Sequence, residues 1–533
     1  MFTAPVNQKS FDRGEHHKVD AYHPYGMDRR KFLNPMNRLF LGLLILVIFS
    51  IGLSACGISS SQAQDSSNSD TPILAPEQNL PLNQPDVTTT PLPTRPPYPP
   101  GEQVDYLAQT GDTIASLAIR FNSSVDEILA ANSFIPADAT TLPPGMPMKI
   151  PIYYQPFWGS QYQIIPDSLF INGPDQVGFD TTAFVADHPG WINNYRDYAF
   201  DGNRSGAEII DYVALNFSVS PRLLLALLEY QVGALSLPTM PEGASQYPLG
   251  YDDWQHKGLY MQLVWAANLL NNAYYNWRSG TLTEFEHLDG TLERPDPWQN
   301  AATVALQYYF SRLVVGDQYA HAIAQDGFGL TYSTLFGDPW QSVNPHIPGS
   351  LQQPAFALPF LPGLTWAYTG GPHTGFGKGE PWSAIDFAPG AMTSGCVSTD
   401  EWATAVAPGV VSRSDAGAVV LDLDGDGDER TGWVVFYFHI ETRDRTPAGA
   451  ALQMGDPIGH PSCEGGRTTG THVHIARKYN GEWIPADCII PFNMDGWTVH
   501  NGSAEYEGTL TRAGRTVDAC TCSDASSQIS ATR

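Results

Sequence analysis

The spacing of hydrophobic residues changes several times along the chain and predicts a multidomain protein. Apolar residues recur at helical spacing in two short segments near residue 120 and in four longer segments between residues 200 and 315. Beyond about residue 351 the pattern changes to short β-rich segments interrupted by Gly and Pro, which is typical of an antiparallel sheet. The predicted helices cover residues 114–121, 125–132, 207–217, 222–231, 258–275 and 300–313.

The predicted fold class is a small αβ unit of strand–helix–helix–strand order, then a mainly α middle domain, then a mainly-β antiparallel-sheet domain at the C-terminus. The length of 533 residues agrees with this, because roughly 150 residues per domain gives about three domains. The expected boundaries are 1–55 for a signal peptide, 56–101 for a tether, 102–153 for the αβ unit, 154–348 for the helical domain, 349–522 for the sheet domain and 523–533 for a disordered tail.

The N-terminus has the features of an export signal. Basic residues within 29–38 precede an uncharged apolar run at 39–53, and this order is typical of a signal peptide. The run is shorter than the about 20 residues that a simple membrane span needs. It ends in Leu-Ser-Ala-Cys, with the cysteine at position 56, which resembles the lipobox of bacterial lipoproteins.

The resemblance implies that Cys56 is lipidated and anchors the chain to the bacterial cell membrane, facing the cell wall. The alternative is an uncleaved signal anchor that happens to end in a cysteine. Both interpretations place the rest of the chain outside the cytoplasm. Residues 57–100, rich in Ser, Thr, Gln and then Pro, lack periodic apolar positions and are predicted to be a semi-extended tether.

The charge balance argues against nucleic acid as a partner. The chain has 28 Lys and Arg against 55 Asp and Glu, a formal net charge of −27. Such a surface repels phosphate backbones.

Six cysteines are present, and five remain for pairing if Cys56 carries lipid. An exported protein keeps disulfides, and an odd number leaves at least one thiol without an intramolecular partner. Sequence alone does not fix the connectivity. The pairs we expect are Cys396 with Cys463, and Cys488 with either Cys520 or Cys522.

The αβ unit resembles a LysM domain. A turn and helix N-cap at 111–113 are followed by two helical segments and a closing strand at 144–151. The resemblance implies binding of N-acetylglucosamine polymers such as peptidoglycan or chitin; a spacer without a ligand is the alternative. The matching residues are Gly111, Asp112, Thr113, Ile114, Leu117, Ala118, Asn132 and the segment 142–145.

In the helical domain, residues 221–231 faintly resemble the catalytic helix of lytic transglycosylases. Those enzymes need a glutamic acid to protonate a glycosidic oxygen. The corresponding position here is Gln231, which cannot donate that proton, and Glu229 lies two residues earlier. We therefore expect no glycosidase site here and a solvated Glu229.

Five polar residues stand out in the C-terminal domain. Asp386 lies in an otherwise apolar strand, where an unpaired carboxylate would be costly to bury, and a metal ion would explain it. His472 and His474 are two residues apart on a predicted strand, so their side chains point the same way. His439 ends an alternating apolar run, and His373 follows two glycines and a proline. Catalytic zinc sites use three His or Asp/Glu ligands and a nearby base, so the set is suited to metal-assisted hydrolysis.

These residues resemble the motifs of LytM/lysostaphin-type zinc endopeptidases, most closely those of the β-lytic branch. Most of the family has its first histidine four residues before the aspartate, where this chain has Trp382. His373 instead lies thirteen residues before Asp386, the longer spacing of the β-lytic branch after a Gly-Gly-x-His motif. Residues 405–411 and 455–459 match family turns.

Carried over by position, the resemblance implies that His373, Asp386 and His474 bind one Zn²⁺. It implies that His439 and His472 are catalytic residues that do not bind the metal. The implied function is a peptidoglycan hydrolase that cleaves peptide bonds in stem peptides or cross-bridges. Two alternatives stay open: a catalytically inactive peptidoglycan-binding or activator lipoprotein, and a zinc protease acting on Gly-rich proteins.

An acidic run at 422–428 imitates the start of an EF-hand loop. The twelfth position of such a loop needs a bidentate Glu, and here it is Trp433. A β-hairpin turn rich in Asp and Gly explains the run without an ion. Bound Ca²⁺ is the less favoured interpretation.

Overall fold

The computed structural model describes residues 95–390, 395–487, 489–522 and 524–531. The predicted signal peptide, the lipidation site Cys56 and all but the end of the tether lie outside these residues, as does Cys488. Among the described residues, no helix is both long enough and apolar enough to cross a membrane.

The first domain is a two-stranded antiparallel sheet covered by two helices, in the predicted order. Thr113 and Ser124 cap the helices, each accepting the backbone N–H of the third helical residue. Leu117, Phe121 and Ile128 are fully buried in its core. Its elements are β1 (Glu102–Leu107), α1 (Ile114–Arg120), α2 (Val125–Ala131) and β2 (Pro147–Ile152).

The middle domain is mainly helical, which confirms the predicted fold class, and it contains two short hairpins. Its elements are α3 (Asp167–Phe170), α4 (Thr181–Ala186), β3 (Arg196–Ala199), β4 (Gly202–Ser205), α5 (Gly206–Phe217), α6 (Pro221–Val232), α7 (Leu259–Ser279), β5 (Phe285–Glu286), β6 (Leu292–Glu293), α8 (Ala301–Ser311), α9 (Gly316–Ala322) and α10 (Phe328–Phe336). Pro221 begins α6 and the Ser220 hydroxyl accepts the N–H of Leu223, while Gly233 ends the helix with a φ of 56°.

The C-terminal domain is built on a large antiparallel sheet. Its strands are β7 (Thr365–Thr374), β8 (Trp382–Pro389), β9 (Ala403–Thr404), β10 (Gly409–Asp415), β11 (Ala418–Asp422), β12 (Trp433–Phe438), β13 (Ala451–Leu452), β14 (Pro457–Gly459), β15 (Val473–Tyr479), β16 (Glu482–Trp483), β17 (Asn493–Met494), β18 (Trp497–Asn501), β19 (Gly508–Arg512), β20 (Arg515–Asp518) and β21 (Gln528–Ser530). The nine-stranded sheet has the order β13-β10-β11-β12-β15-β8-β7-β21, with β16 paired to β15. A second sheet has the order β17-β18-β19-β20, and β9 pairs with β14.

Both faces of the large sheet are covered. Phe436 and Ala476 pack in the core of the helical domain, whereas their neighbours Val435 and Ile475 pack in the core on the other face. Successive residues of a strand point to opposite faces, so the central strands contribute apolar side chains to the cores on both faces. The helical domain is therefore one of the two layers that enclose this sheet.

Buried polar contacts also join the domains. Arg278 of α7 lies 3.1 Å from Glu482 of β16, and both side chains are buried. The linker beyond α10 contacts the first domain, where the backbone N–H groups of Ile347 and Leu351 donate to the hydroxyls of Thr110 and Thr141.

The structure corrects two expectations for the C-terminus. The tail predicted to be disordered contributes β21, which pairs with β7 because Ile529 is buried in the core of the sheet domain. Cys520 is bonded to Cys522, so neither is free for the predicted bond to Cys488. A single residue separates these two cysteines, and a turn at 521–522 brings the sulfurs together. The structure also contains a disulfide between Cys396 and Cys463.

Candidate metal centre

Three predicted site residues lie on adjacent strands. β8 carries Asp386 and lies between β7, which carries His373, and β15, which carries His474. His474 is directly opposite Asp386, whereas a bulge in β7 sets His373 opposite Ala384. Gly370 faces Asp386, and a Cβ there would overlap the carboxylate. Gly370, three residues before His373, thus leaves the space that the Asp386 carboxylate occupies.

The potential ligand atoms of these residues converge. Nε2 of His373 is 3.0 Å from Nδ1 of His474, and Oδ1 of Asp386 is 3.4 Å from each of them. The three residues are only 2%, 6% and 5% exposed in that order. Oδ1 of Asp386 has no hydrogen-bond partner. A buried carboxylate oxygen without a partner is energetically costly. A cation bound here would stabilise it.

Backbone carbonyls fix the protonation of both histidines. Nδ1–H of His373 donates to the carbonyl of Gly371 at 2.8 Å, and Nε2–H of His474 donates to that of Gly375 at 3.0 Å. A carbonyl only accepts, so the single proton of each neutral imidazole is on the nitrogen that faces it. The other nitrogen of each ring carries a lone pair, and these two lone pairs face each other.

His439 and His472 lie beside this centre and are held in the same way. Their Nδ1–H groups donate to the carbonyls of Glu464 and Gly470, each at 2.8 Å. Their ring centroids are 4.7 Å apart, and Nε2 of His472 is 3.6 Å from Oδ1 of Asp386. His439 follows β12 with a φ of 62°. A non-glycine residue in this conformation stores strain, which is often found at functional sites.

Burial and neighbouring charges set the ionisation of the centre. Burial, together with His474, lowers the pKa of His373 to about 4. Burial, together with His472, lowers the pKa of His439 to about 3. Burial alone would raise the pKa of Asp386, but His373 and His472 hold it below its ordinary value. At neutral pH these shifts keep His373 and His439 neutral and Asp386 ionised, and metal ligation requires a neutral imidazole and a carboxylate.

This donor set fits a divalent metal such as zinc. Ligand atoms 2.0–2.1 Å from a tetrahedral zinc ion are about 3.4 Å apart. The three pairs of atoms in this centre are separated by 3.0, 3.4 and 3.4 Å. Imidazole and carboxylate are ligands that zinc prefers.

Tyr506 contributes to the centre although the sequence analysis did not identify it. Its ring stacks on His373, with centroids 4.1 Å apart and planes inclined by 22°. Its carbonyl accepts the N–H of Gly371, and its N–H donates to the carbonyl of Pro372. It lies in a loop without a motif or apolar periodicity, so the single sequence carries no signal for it.

The Cys396–Cys463 disulfide joins two loops next to His472. Thr471 precedes His472 and donates its hydroxyl to the carbonyl of Val397 at 2.6 Å. The disulfide thereby supports the segment that positions this histidine.

The acidic run forms a closed turn. Carboxylates of Asp422, Asp424 and Asp426 are close enough together to hold a cation. However, Asp422 accepts backbone N–H groups from Asp424 and Gly427, and Asp424 accepts that of Asp426. Burial, together with the charge of Asp424, raises the pKa of Asp422 to about 6. These carboxylates thus close the Asp-Gly turn by themselves.

In α6, which resembles a helix of lytic transglycosylases, Gln231 and Glu229 both form hydrogen bonds with other segments of the chain. The Gln231 amide donates to the carbonyl of Leu249 and accepts from the hydroxyl of Tyr309. Glu229 accepts the N–H of Leu235 at 2.7 Å. It therefore stabilises the chain after α6 while its side chain stays partly exposed, in agreement with the expectation of a solvated residue.

Family comparisons match two regions of the chain. Residues 106–151 match the family described as LysM domain. Residues 163–350 match the family described as LasA, N-terminal domain.

Several known proteases are similar to parts of this chain. Protease LasA of Pseudomonas aeruginosa is 24% identical over 363 residues, which cover 65% of this chain and 80% of that protein. A beta-lytic metalloendopeptidase of Achromobacter lyticus is 30% identical over 163 residues, which cover 29% of this chain and 40% of that protein. A solved structure described as a novel M23 metalloprotease, pseudoalterin, from the deep sea is 25% identical with a TM-score of 0.27, covering 31% of this chain and 96% of that one.

Proposed function

We propose, on the premise that this chain is a LytM-type metalloendopeptidase with a LysM domain, that it hydrolyses peptide bonds in the stem peptides or cross-bridges of peptidoglycan with zinc as its metal. One observation carries the proposal: two imidazole lone pairs and an unpartnered carboxylate oxygen, from His373, His474 and Asp386, converge in a buried centre. Three such ligands leave a tetrahedral ion one place for water.

Bound zinc would act as a Lewis acid that polarises the scissile carbonyl and lowers the pKa of water. His373 and His474 are prepared for it, because the carbonyls of Gly371 and Gly375 already hold their protons on the far nitrogens. Asp386 adds the negative charge. Partners that fix the tautomer of a metal-binding histidine increase its affinity for the ion.

His439 and His472 are the proposed catalytic residues that do not bind the metal. With Nδ1–H engaged by a carbonyl, each has an Nε2 lone pair that orients the attacking water and accepts its proton. Once protonated, the same nitrogen donates to the negative oxygen of the tetrahedral intermediate or to the leaving amine. The lowered pKa of His439, about 3, keeps its ring neutral before the attack.

The lipid anchor, the tether and the LysM domain would hold this centre close to the cell wall. A lipid on Cys56 would hold the chain at the membrane outside the cytoplasm, with the tether providing reach. The LysM domain would bind the N-acetylglucosamine glycan of the same polymer. Linking a binding module to a catalytic one raises the local substrate concentration. A C56A variant should leave the membrane fraction and appear in the medium.

Digestion of purified sacculi tests the proposal. The protein without its first 56 residues should release muropeptides with new amino and carboxyl termini within stems or cross-bridges, identified by mass spectrometry. Chelation should stop the release and zinc should restore it. The H439A variant is the matched control for contaminating hydrolases.

Three other outcomes would overturn the proposal. Cleavage of glycan bonds would assign a glycosidase. Cleavage of an elastin-like, Gly-rich protein with intact sacculi would assign a protease acting on such proteins. Wall binding without any hydrolysis by the zinc-loaded protein would assign an activator.

A further inference from the structure

Two adjacent loops of the first domain carry three threonine hydroxyls. Residues 108–113 join β1 to α1, and residues 132–146 join α2 to β2. The loops lie side by side, because backbone N–H groups of the second loop donate to carbonyls of the first at 2.7 and 2.8 Å. The hydroxyls belong to Thr110 of the first loop and to Thr140 and Thr141 of the second.

The linker beyond α10 lies across both loops. The Thr110 hydroxyl accepts the backbone N–H of Ile347 at 3.0 Å and donates to the carbonyl of the same residue at 3.3 Å. The Thr141 hydroxyl accepts the N–H of Leu351 at 3.0 Å and donates to the carbonyl of Pro348 at 2.7 Å. Each of these two hydroxyls thus uses its proton and a lone pair to bind the linker backbone.

The same linker segment, residues 347–351, makes two more hydrogen bonds to the second loop. The Thr140 hydroxyl donates to the carbonyl of Leu351 at 2.8 Å. The N–H of Ser350 donates to the carbonyl of Thr141 at 2.9 Å. All three threonine hydroxyls are therefore bound to the linker.

The segment fits closely against the second loop. A Cβ on Gly349 would lie 2.6 Å from Cγ of Pro143 and 2.8 Å from its backbone nitrogen. Ser350 has a φ of 56°, which few residues other than glycine adopt and which proline cannot adopt. A side chain at position 349, or a proline at position 350, would therefore displace the segment from the loops.

The sheet domain holds the other side of this segment. Ile347 and Leu351 are buried in a small apolar cluster with Ile484 and Ile490 of that domain. The segment 347–351 thus lies between the first domain, which its backbone contacts, and the sheet domain, which its side chains contact. A segment displaced from the loops would stay attached to the sheet domain.

The first domain also has contacts that do not involve the linker. The Arg120 guanidinium of α1 donates to the carbonyl of Trp277 of α7 at 3.0 Å and lies 2.8 Å from Asp112. A Cβ on Gly280 would lie 2.9 Å from Cδ1 of Ile119, so α1 also packs closely against the end of α7. Displacement of the linker would therefore leave the first domain in place.

The linker backbone presents the same kinds of group as an N-acetylated glycan. A peptide backbone alternates N–H donors with carbonyl acceptors. N-acetylglucosamine carries an acetamido N–H and carbonyl together with hydroxyls. A threonine hydroxyl binds groups of either polymer, because it both donates and accepts. Such a glycan would therefore compete with the segment 347–351 for the loops.

We propose that the segment 347–351 masks the glycan-binding surface of the first domain, so that the intact chain binds the glycan of peptidoglycan weakly until the segment leaves the loops. The surface consists of the hydroxyls of Thr110, Thr140 and Thr141. The inference rests on the proposed function, in which the LysM domain binds this glycan. It adds that the linker and the glycan exclude each other, so each weakens the binding of the other.

Titration of the chain that lacks residues 1–56 with a soluble N-acetylglucosamine oligosaccharide tests the mask. A protein whose binding-competent state is a minor fraction binds with an affinity reduced by that fraction. S350P removes the N–H that Thr141 accepts and excludes the φ of 56°. The segment should then leave the loops, and the Kd should fall by about 10-fold or more. G349V, which adds a side chain against Pro143, should give the same gain.

Three controls accompany these variants. S350A keeps the backbone N–H and alters only an exposed side chain, so its affinity should equal that of the parent protein. In the S350P protein, the further change T141V should weaken binding about 2–10-fold, because the freed hydroxyl then binds the glycan. A synthetic peptide of residues 345–352 should compete with the oligosaccharide for the S350P protein.

Equal, measurable affinities in the parent, S350P and G349V proteins would overturn the inference and leave the proposed function intact. An unchanged affinity on adding T141V to S350P would overturn the assignment of the surface. Absence of oligosaccharide binding in all of these proteins would overturn the inference together with the glycan role proposed for the LysM domain. If S350P does not fold, G349V gives the same comparison.

Discussion

Nε2 of His373 and Nδ1 of His474 lie 3.0 Å apart, and each ring donates its other N–H to a backbone carbonyl. The two rings come from the strands on either side of β8, which supplies the unpartnered oxygen of Asp386. Two lone pairs and a carboxylate oxygen at this separation repel one another unless a cation lies among them. A divalent cation bound among these three atoms would therefore be attracted by all of them.

Removal of the metal should lower stability as well as activity. A ligand that binds only the folded state stabilises it by about 2.7 kcal/mol at a hundredfold excess over its Kd. We expect calorimetry to show a lower melting temperature with a chelator and recovery with zinc. D386N keeps the shape of the side chain but removes its charge, so its zinc-dependent stabilisation should shrink. An identical melting temperature with and without the chelator would contradict a metal at this centre.

The roles of His439 and His474 should separate in their variants. H439A should lose at least about 100-fold in kcat, because general acid–base residues contribute about 10²–10⁴-fold, and should retain its zinc. H474A should lose both activity and zinc. Metal analysis after gel filtration, paired with turnover of a soluble peptide substrate, distinguishes the two.

H500A is the control for these two variants, because His500 is in the same domain but bonds to Thr511 rather than to the centre. Equal loss of zinc from H439A and H474A would contradict the assigned roles.

The interface between α7 and β16 should weaken in acid. Burial would raise the pKa of Glu482, but Arg278 and His346 lower it from 4.5 to about 2. The stabilisation from this carboxylate is therefore complete above about pH 4.5 and is lost as the pH falls towards 2. It amounts to about 3 kcal/mol. Urea unfolding at pH 7 and pH 3 should show E482Q destabilised at pH 7, with the difference from the parent protein smaller at pH 3.

E242Q, at an exposed glutamate of the helical domain, provides the comparison and should follow the parent protein at both pH values. A constant difference between E482Q and the parent would mean that Glu482 is not the group that titrates.

The sequence predicted those features of the centre that depend on neighbours along the chain. Asp386 stood out as a charge in an apolar strand, and His472 and His474 by their alternation, because strand periodicity determines which side chains share a face. His373 followed from its spacing to Asp386 in a known motif. Contacts between distant segments leave no such periodicity, so the contribution of Tyr506 was not predictable.

The C-terminal end of this domain shows the same limit. Residues 523–533 have the polar composition of a tail, yet residues 528–530 add a strand at the edge of the sheet, with Ile529 buried. Cysteine connectivity depends on which loops meet in space. The pairing of Cys520 with Cys522 therefore could not be chosen from the sequence over pairing with Cys488.

The disulfide between Cys396 and Cys463 should stabilise the fold and support catalysis. Its cysteines are 67 residues apart, and closing a loop of that length in the unfolded chain is worth about 4 kcal/mol in the chain-entropy description. C396S/C463S should thus lower the free energy of unfolding by about 2–4 kcal/mol. It should also reduce kcat more than zinc content, because the loop beside His472 loosens while the three proposed metal ligands stay on their strands. C520S/C522S is the matched control. Its cysteines are 2 residues apart, so the same description gives only about 1–2 kcal/mol, and this bond joins neither of the two loops linked by Cys396 and Cys463. Urea unfolding and turnover of the two variants should therefore differ, and equal losses in both would show that the longer disulfide neither restricts the unfolded chain nor positions His472.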